Sequence, residues 1–312
     1  MDRYSLWGVQ YGPTASPTVV GGIASEDLSS GSRTLGEPTS GQLYPAVMSL
    51  VGQDPTGRFT TESIKAALDL FQASPLSMFA ASIASTSPLN FHLQKYTAGG
   101  GPASGSVHRK LAINFGVVSP GQLTCRHQGN ASMDYRVTVG YDGSNNPIIP
   151  TEDQALPSGL SDGARYTLGP VSLGGVTLDD YTAVTIDFGV TVAAEGAKSE
   201  IWPRIVAVTR IVPTITIEGI KPGWFATTGA VALEGLAAGH ANSKIYLRKR
   251  ATGGTFVADE TAEHISFTCA GMAVVQDGIR QAEGPAGVTL HVPLYYDGTN
   301  LPLVVNTATA IT

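Results

Sequence analysis

Residues 141–147 read Y-D-G-S-N-N-P, and residues 296–302 read Y-D-G-T-N-L-P. An alternating apolar run leads into each: Tyr135, Val137, Val139 and Tyr141 in one, Leu290, Val292, Leu294 and Tyr296 in the other. Both matches lie 155 residues apart, about half of the 312-residue chain. Further upstream, Phe91 to Lys95 followed by Gly99-Gly100 parallels Ile245 to Lys249 followed by Gly253-Gly254. Glu62-Ser63-Ile64-Lys65 parallels Glu218-Gly219-Ile220-Lys221, Tyr44-Pro45 parallels Trp202-Pro203, and Pro55-Thr56 parallels Pro213-Thr214. Gly21-Gly22-Ile23 is matched to Gly174-Gly175-Val176, and Arg3-Tyr4-Ser5-Leu6 to Arg165-Tyr166-Thr167-Leu168. The order is kept in both halves. A repeat this long is domain-sized, far above a solenoid period. The expectation is one β domain written twice, as residues 1–158 and 159–312.

Composition agrees with a turn-rich β chain. Charged residues are only 14% of the total, and there are 37 glycines. Net charge is −6, shared between the halves, with 9 basic against 11 acidic residues in the first and 10 against 14 in the second. Such a surface has no basic excess to neutralise phosphates, so tight nucleic-acid binding is not expected. It would let DNA pass without adhering, since like charges repel. Cys125 and Cys269 do not occupy matching repeat positions, which argues against a disulfide framework and for a reducing compartment. No run of 18 apolar residues is present, so no membrane span is expected, and the first residues lack an apolar signal core.

Alternation reads as strand throughout. Val184, Ile186, Phe188, Val190 and Val192 predict one long half-buried strand. Asp142-Gly143 and Asp297-Gly298 predict reverse turns, because both residue types tolerate positive φ. Pro147 and Pro302 follow, placing the next segment at a strand start or a sheet edge. One helix is expected from Thr61 as cap through Ile64, Ala67, Leu68 and Phe71, ending at Pro75. A second short helix could run from Met78 to Ile83. In the second copy, Pro222-Gly223 would break the matching helix. Residues 99–106 and 253–260 read as long loops between strands.

No catalytic constellation emerges. The glycine-rich loop lacks G-K-[ST], and there is neither a G-x-S-x-G elbow nor H-E-x-x-H. The six histidines have no metal-ligand spacing, although His108 and His264 fall at nearly matching positions and so should share surroundings. The acidic pairs Glu26-Asp27 and Asp179-Asp180 read as solvated turns in preference to a cation site. Arg248-Lys249-Arg250 reads as an exposed edge or an intersubunit ion-pair site. Tyr141 and Tyr296 read as core-facing, Tyr295 as outward. The expectation is therefore a non-enzyme without catalytic, cofactor or metal residues.

Tyr44-Pro45-Ala46-Val47-Met48-Ser49-Leu50, Pro55, Phe59-Thr60-Thr61 and Ile64-Lys65-Ala66-Ala67-Leu68-Asp69 form a pattern of apolar strand, turn, F-T-T and a helix ending in A-L-D. This pattern resembles the tail tube proteins of long-tailed bacteriophages. The resemblance implies a mainly β fold of two tandem homologous sandwich or barrel domains. Each would have a flanking helix, weaker in the second, and long loops. It also implies stacked rings enclosing a lumen for DNA, trimeric with pseudo-sixfold symmetry in the fused two-domain form. The 99–106 and 253–260 loops would contribute to stacking. Further implied are tape-measure, tail terminator and baseplate partners, and residence in the virion tail after assembly in the host cytoplasm. The rival expectations are another virion β protein (a baseplate ring or a capsid decoration) or a carbohydrate-binding adhesin using Tyr295, Trp202 or Trp224.

Overall fold

Period-two alternation becomes strand through most of the chain. The computed structural model describes residues 3–12, 18–38, 45–71, 80–161, 164–174, 176–196, 200–220, 243–251, 253–269, 271–272, 275–280, 287–296 and 298–312. The first half runs β1 (Arg3–Tyr11), β2 (Thr18–Val20), β3 (Ile23–Ser29), β4 (Ser32–Pro38), β5 (Pro45–Gln53), β6 (Thr56–Thr61), α1 (Ile64–Phe71), β7 (Ala81–Ile83), β8 (Leu89–Tyr96), β9 (His108–Ile113), β10 (Gly116–Arg126), β11 (Ser132–Val139), β12 (Ile149–Gln154) and β13 (Leu160–Ser161). The second half runs β14 (Arg165–Leu173), β15 (Val176–Leu178), β16 (Tyr181–Asp187), β17 (Val190–Gly196), β18 (Pro203–Ile211), β19 (Thr214–Gly219), β20 (Ser243–Arg250), β21 (His264–Cys269), β22 (Gly271–Met272), β23 (Val275–Arg280), β24 (Gly287–Tyr295) and β25 (Leu303–Thr309).

The fold is mainly β, in several antiparallel sheets. One sheet, ordered β12-β9-β8-β1-β2-β13, is built on the first half and takes in β13, parallel to β2, from just past residue 158; another, β15-β14-β20-β21-β25, belongs to the second. A long sheet runs β22-β24-β19-β16-β10-β11-β6-β3 through both halves, with β23 also on β24. Alternation places the apolar side of each strand inward, where Phe59 stacks on Tyr135 at 5.0 Å and meets Phe91 edge-on at 6.0 Å. Phe59 and Tyr135 come from the long sheet and Phe91 from the first-half sheet, so two layers close on one core. Fully burying one such aromatic contributes roughly 2–3 kcal/mol. The same core continues into the second half through Val184, Ile186, Ile217, Ile245, Phe267 and Leu290.

The pairings recur in order. β1 with β2 and β8, β8 with β9, and β9 with β12 reappear as β14 with β15 and β20, β20 with β21, and β21 with β25. In the long sheet, β3-β6-β11-β10 reappears as β16-β19-β24-β23. The irregularities recur too. The register shifts at Ile23/Ser25 and at Tyr181/Ala183, and again at Pro120/Leu123 and at Asp277/Arg280. Two sequence matches slip in this register. Gly21-Gly22 follows β2, whereas Gly174-Gly175 precedes β15. Glu218 lies within β19, two positions before the counterpart of Glu62.

The expected strand through Val192 is two strands. Gly189 (φ 58°) turns the chain out of the long sheet, and a Cβ there would lie 1.9 Å from the Val212 carbonyl oxygen. Gly31 (φ 56°) makes the same turn, with a Cβ 2.0 Å from the Asp54 oxygen. Asp54 N–H donates to Gly31 O, and Val212 N–H to Gly189 O, both at 3.1 Å. Among the described residues, β4–β5 and β17–β18 beyond these turns pair only as two-stranded arms. Only glycine fits a left-handed position so close to backbone.

The helix begins one turn element later than read from the sequence. Ser63 O accepts the Ala67 N–H, while Thr61 Oγ1 accepts Ser63 N–H and donates to Gly21 O, so Thr61 fastens the bend before the helix. Ala81–Ile83 is strand β7 on β10, not helix. Met78 and Phe79 of the second expected helix, Pro75, and the Pro222-Gly223 break lie outside the described residues. No described helix is long and apolar enough to cross a membrane.

Candidate assembly interface

The two halves meet strand to strand. β10 of the first pairs with β16 of the second, Gln122 opposite Asp187, Leu123 opposite Ile186, Thr124 opposite Thr185 and Cys125 opposite Val184. Leu123, Cys125, Val184 and Ile186 are buried, so the inner face of this seam is a dry apolar strip. The seam extends at both ends through Phe188 N–H to Gly121 O at 3.0 Å and His127 N–H to Thr182 O at 2.7 Å.

The tip of the second arm closes over the first half. Trp202 donates from Nε1 to Gln53 Oε1 at 2.6 Å and packs on Tyr141 with ring centroids 5.0 Å apart. Arg204 lies 5.9 Å from the Tyr141 centroid, Tyr141 N–H donates to Pro203 O, and Gln53 N–H donates to Ile201 O. Tyr141 is thus covered by the second half rather than by its own core. Its repeat counterpart, Tyr296, is 58% exposed, so the core-facing expectation fails for both. Across the seam Glu62 also pairs with Arg165 at 3.0 Å, and Lys65 and Asp69 of α1 reach Thr307 of β25.

One edge of the long sheet is β3, and the other is formed by β22 and β23, both on β24. Among the described residues β3 pairs only with β6, and β23 only with β24. β3 is the counterpart of β16, and β23 that of β10. Glu26-Asp27 is therefore edge strand, not turn, and is exposed. Asp179-Asp180 does sit at a turn, in a groove of about 390 Å³ shared with His127, Tyr181 and Arg248.

The outer face of the long sheet is polar and threonine-rich. Thr56, Arg58 and Thr60 share that face with Arg136 and Thr138, then Gln122 and Thr124, then Thr185, then Thr214, Thr216 and Glu218, then Thr289 and His291. Arg58 pairs there with Asp134 at 3.4 Å, and Thr216 Oγ1 lies 3.3 Å from His291 Nδ1. At one end of this face Val117, Ser119 and Asp134 are buried, where β17 and β18 of the second arm lie close to β10 and β11.

Other residues singled out by sequence have structural partners. The basic cluster lies on β20, which is central between β14 and β21 rather than an edge. Arg248 pairs with Asp259 at 2.8 Å, Lys249 pairs with Glu263, and Arg250 lies over Phe256, all within the chain. His108 and His264 do share surroundings, since each Nδ1 accepts a backbone N–H, from Lys95 and from Lys249. The 99–106 and 253–260 loops share a turn as well: Gly100 N–H to Thr97 O matches Gly254 N–H to Ala251 O. Asp142 accepts from Ser144 and Asn145 N–H groups and from the Asn145 amide. These bonds, led by Asn145, hold its carboxyl below the usual range. Gly143 takes φ 92°, but the loop crosses from β11 to β12 in the other sheet and so makes no hairpin. Asp297, Trp224 and His240 lie outside the described residues.

Burial pushes both thiols, Cys125 and Cys269, up to about 12, and both are free. Among the described residues no group of three His, Cys, Asp or Glu could hold a metal ion. The arms escaped the sequence reading, although Gly31 with Pro45 and Gly189 with Pro203 carried a signal for them. A scan against protein-family models returns no match, and neither does a search of curated proteins.

Proposed function

We propose that this chain is a structural subunit of a phage tail tube, built from two homologous ring-forming units, residues 1–158 and 159–312. One observation carries the reading: the chain already contains, as β10 on β16, the contact that its free ends β23 and β3 could make between chains. Such a head-to-tail contact is heterologous, and it closes into a ring when the rotation per unit divides a full turn. Each chain would supply eight strands to the wall, β23-β24-β19-β16-β10-β11-β6-β3. Three chains would give about 24 strands, and at ordinary strand spacing and tilt the opposing backbones would stand roughly 48 Å apart. The threonine-rich face would line that lumen with hydroxyls and mixed charges, which suits a duplex that slides without binding. The loops 99–106 and 253–260 would touch the next ring, with tape-measure, terminator and baseplate proteins at the tube's core and ends. In this reading the protein works through interfaces, has no catalytic or cofactor site, and resides in the virion tail after assembly in the host cytoplasm.

Negative-stain imaging of the purified chain tests the proposal. Long hollow tubes are expected. Single rings or trimers that never stack would favour a baseplate or decoration role, and dispersed monomers that bind a glycan array would favour an adhesin. The adhesin reading has lost one platform, because the Trp202 indole is committed to Gln53 and Tyr141.

A further inference from the structure

We propose that β3 of one chain adds antiparallel to β23 of the next in a fixed register, with Leu28 opposite Ile279 and Asp27 opposite Arg280. The proposal rests on the head-to-tail assembly above and specifies its chemistry.

The register follows from the strand pairs already present. In β10, Pro120 lies opposite Tyr135 and Thr124 opposite Ser132. In β23, Gln276 lies opposite Leu290 and Arg280 opposite Gly287. Tyr135 and Leu290 are repeat partners, as are Ser132 and Gly287. So Gln276 takes the place of Pro120, Ile279 that of Leu123, and Arg280 that of Thr124. On the other edge, Thr56 and Thr214 are partners, opposite Ser29 and Asp187 respectively. Leu28 then takes the place of Ile186, and Asp27 that of Thr185. The observed pairs Leu123–Ile186 and Thr124–Thr185 translate into Ile279–Leu28 and Arg280–Asp27.

Three independent features agree with that translation. The apolar pair stays apolar, and Leu28 already packs against the core from its half-buried position. The neutral Thr–Thr pair becomes an acidic residue opposite a basic one, the combination that favours cross-strand pairing. The register shifts in β3 and in β23 fall at the same places as in β16 and β10, so the two edges have the backbone shape of the strands that already fit.

The arm supplies a second contact at the same place. In the chain, Val206 of the second arm lies against Gly140, where a Cβ would come within 2.8 Å of Val206 Cγ2. The counterparts are Met48 of the first arm, 65% exposed, and Tyr295, 40% exposed, beside Tyr296. Both sides are larger and apolar, and a thioether against an aromatic ring is a favourable contact. The neighbour that covers Tyr296 is accordingly the first arm of another copy.

Paired cysteines test the register on the full chain. Positions 28 and 279 lie at opposite ends of an eight-strand sheet, roughly 30 Å apart along it, so a bond between them joins two chains. Leu28→Cys with Ile279→Cys should form, on mild oxidation, a ladder of linked chains ending in a closed species. Either single variant should not, and neither should Ser25→Cys with Ile279→Cys. The buried native thiols supply no background. Charge exchange is the second arm of the test. Asp27→Arg and Arg280→Asp should each raise the concentration for half-assembly about threefold to tenfold, and the double exchange should restore it. Rings or tubes that form without the 28–279 link, and without rescue by the double exchange, would overturn this register while leaving the tube reading intact. The link forming in rings that never stack would uphold the register and defeat the tube.

Discussion

In the proposed assembly, the seam inside the chain and the two outer edges of the same sheet would be one interface in two states. At the seam, Val184 and Ile186 face inward and are buried; on β3 the counterparts of Val184 and Thr185 are Glu26 and Asp27, both exposed. A seam formed within one chain needs no protection from wrong partners, so its inner face can be wholly apolar. An edge that waits in water for a partner must avoid wrong pairings, and charge on an edge strand does that. The arms differ at one matched position: Val206 of the second arm is half-buried, whereas its counterpart Met48 is open. Under the proposal, one contact would be specialised for permanence and its copy for assembly.

The sharpest way to break the comparison is to charge both versions. Ile186→Asp buries a carboxylate in the dry seam and should lower the unfolding free energy by at least about 4 kcal/mol. Leu28→Asp should cost the isolated chain much less, because Leu28 is half-buried, yet abolish assembly. Denaturant melts and sedimentation separate the two. If Leu28→Asp unfolds the chain as severely as Ile186→Asp, the edge is not held in reserve.

The arm turns come next. Gly189→Ala and Gly31→Ala each force a Cβ onto a backbone oxygen at positive φ, at about 2–4 kcal/mol locally. Gly189→Ala should lower the melting temperature of the isolated chain more, since the second arm is packed on the first half. Gly31→Ala should mainly weaken assembly. Trp202→Ala removes a ring contact and a hydrogen bond, for about 2–3 kcal/mol in the isolated chain. Tyr296→Ala should change that stability by under about 0.5 kcal/mol while weakening ring formation. Equal effects in the isolated chain would mean that Tyr296 already has its cover.

The last prediction concerns pH. His92 is buried, with Nε2 2.7 Å from Gln10 Oε1, and burial together with the Lys110 charge depresses it to about 4. A folded value below the unfolded one, about 6.5, means that folding favours the neutral ring. That stabilisation is present above pH 6.5 and is lost as pH falls toward 4. His92→Gln should flatten stability over this window, as read from melts at stepped pH. An unchanged slope would remove His92 as the cause.

Much of this fold was legible because turn chemistry marks the repeat at both ends. Arg3 and Arg165 open the matching strands β1 and β14, and Tyr141 and Tyr296 follow the matching strands β11 and β24. Register was less legible. Glycine pairs and a Glu-x-Ile-Lys string recur by composition, so Gly21-Gly22 and Glu62 were aligned with residues that occupy different strand positions. The arms were hidden because alternation runs unbroken through Phe188 to Val190, and only the crowding at Gly189 reveals the turn. The candidate interface was least legible. A tyrosine at a strand end reads as core whether its cover comes from its own domain, as expected, or from the next, as at Tyr141.

The central claim is that the chain assembles by repeating its own seam head to tail. Native mass spectrometry of the purified protein across concentration tests this most directly. The account predicts a closed cyclic oligomer, with three chains for pseudo-sixfold symmetry, and no stable two-chain plateau. A two-fold symmetric dimer, or a monomer that persists at high concentration, would contradict it.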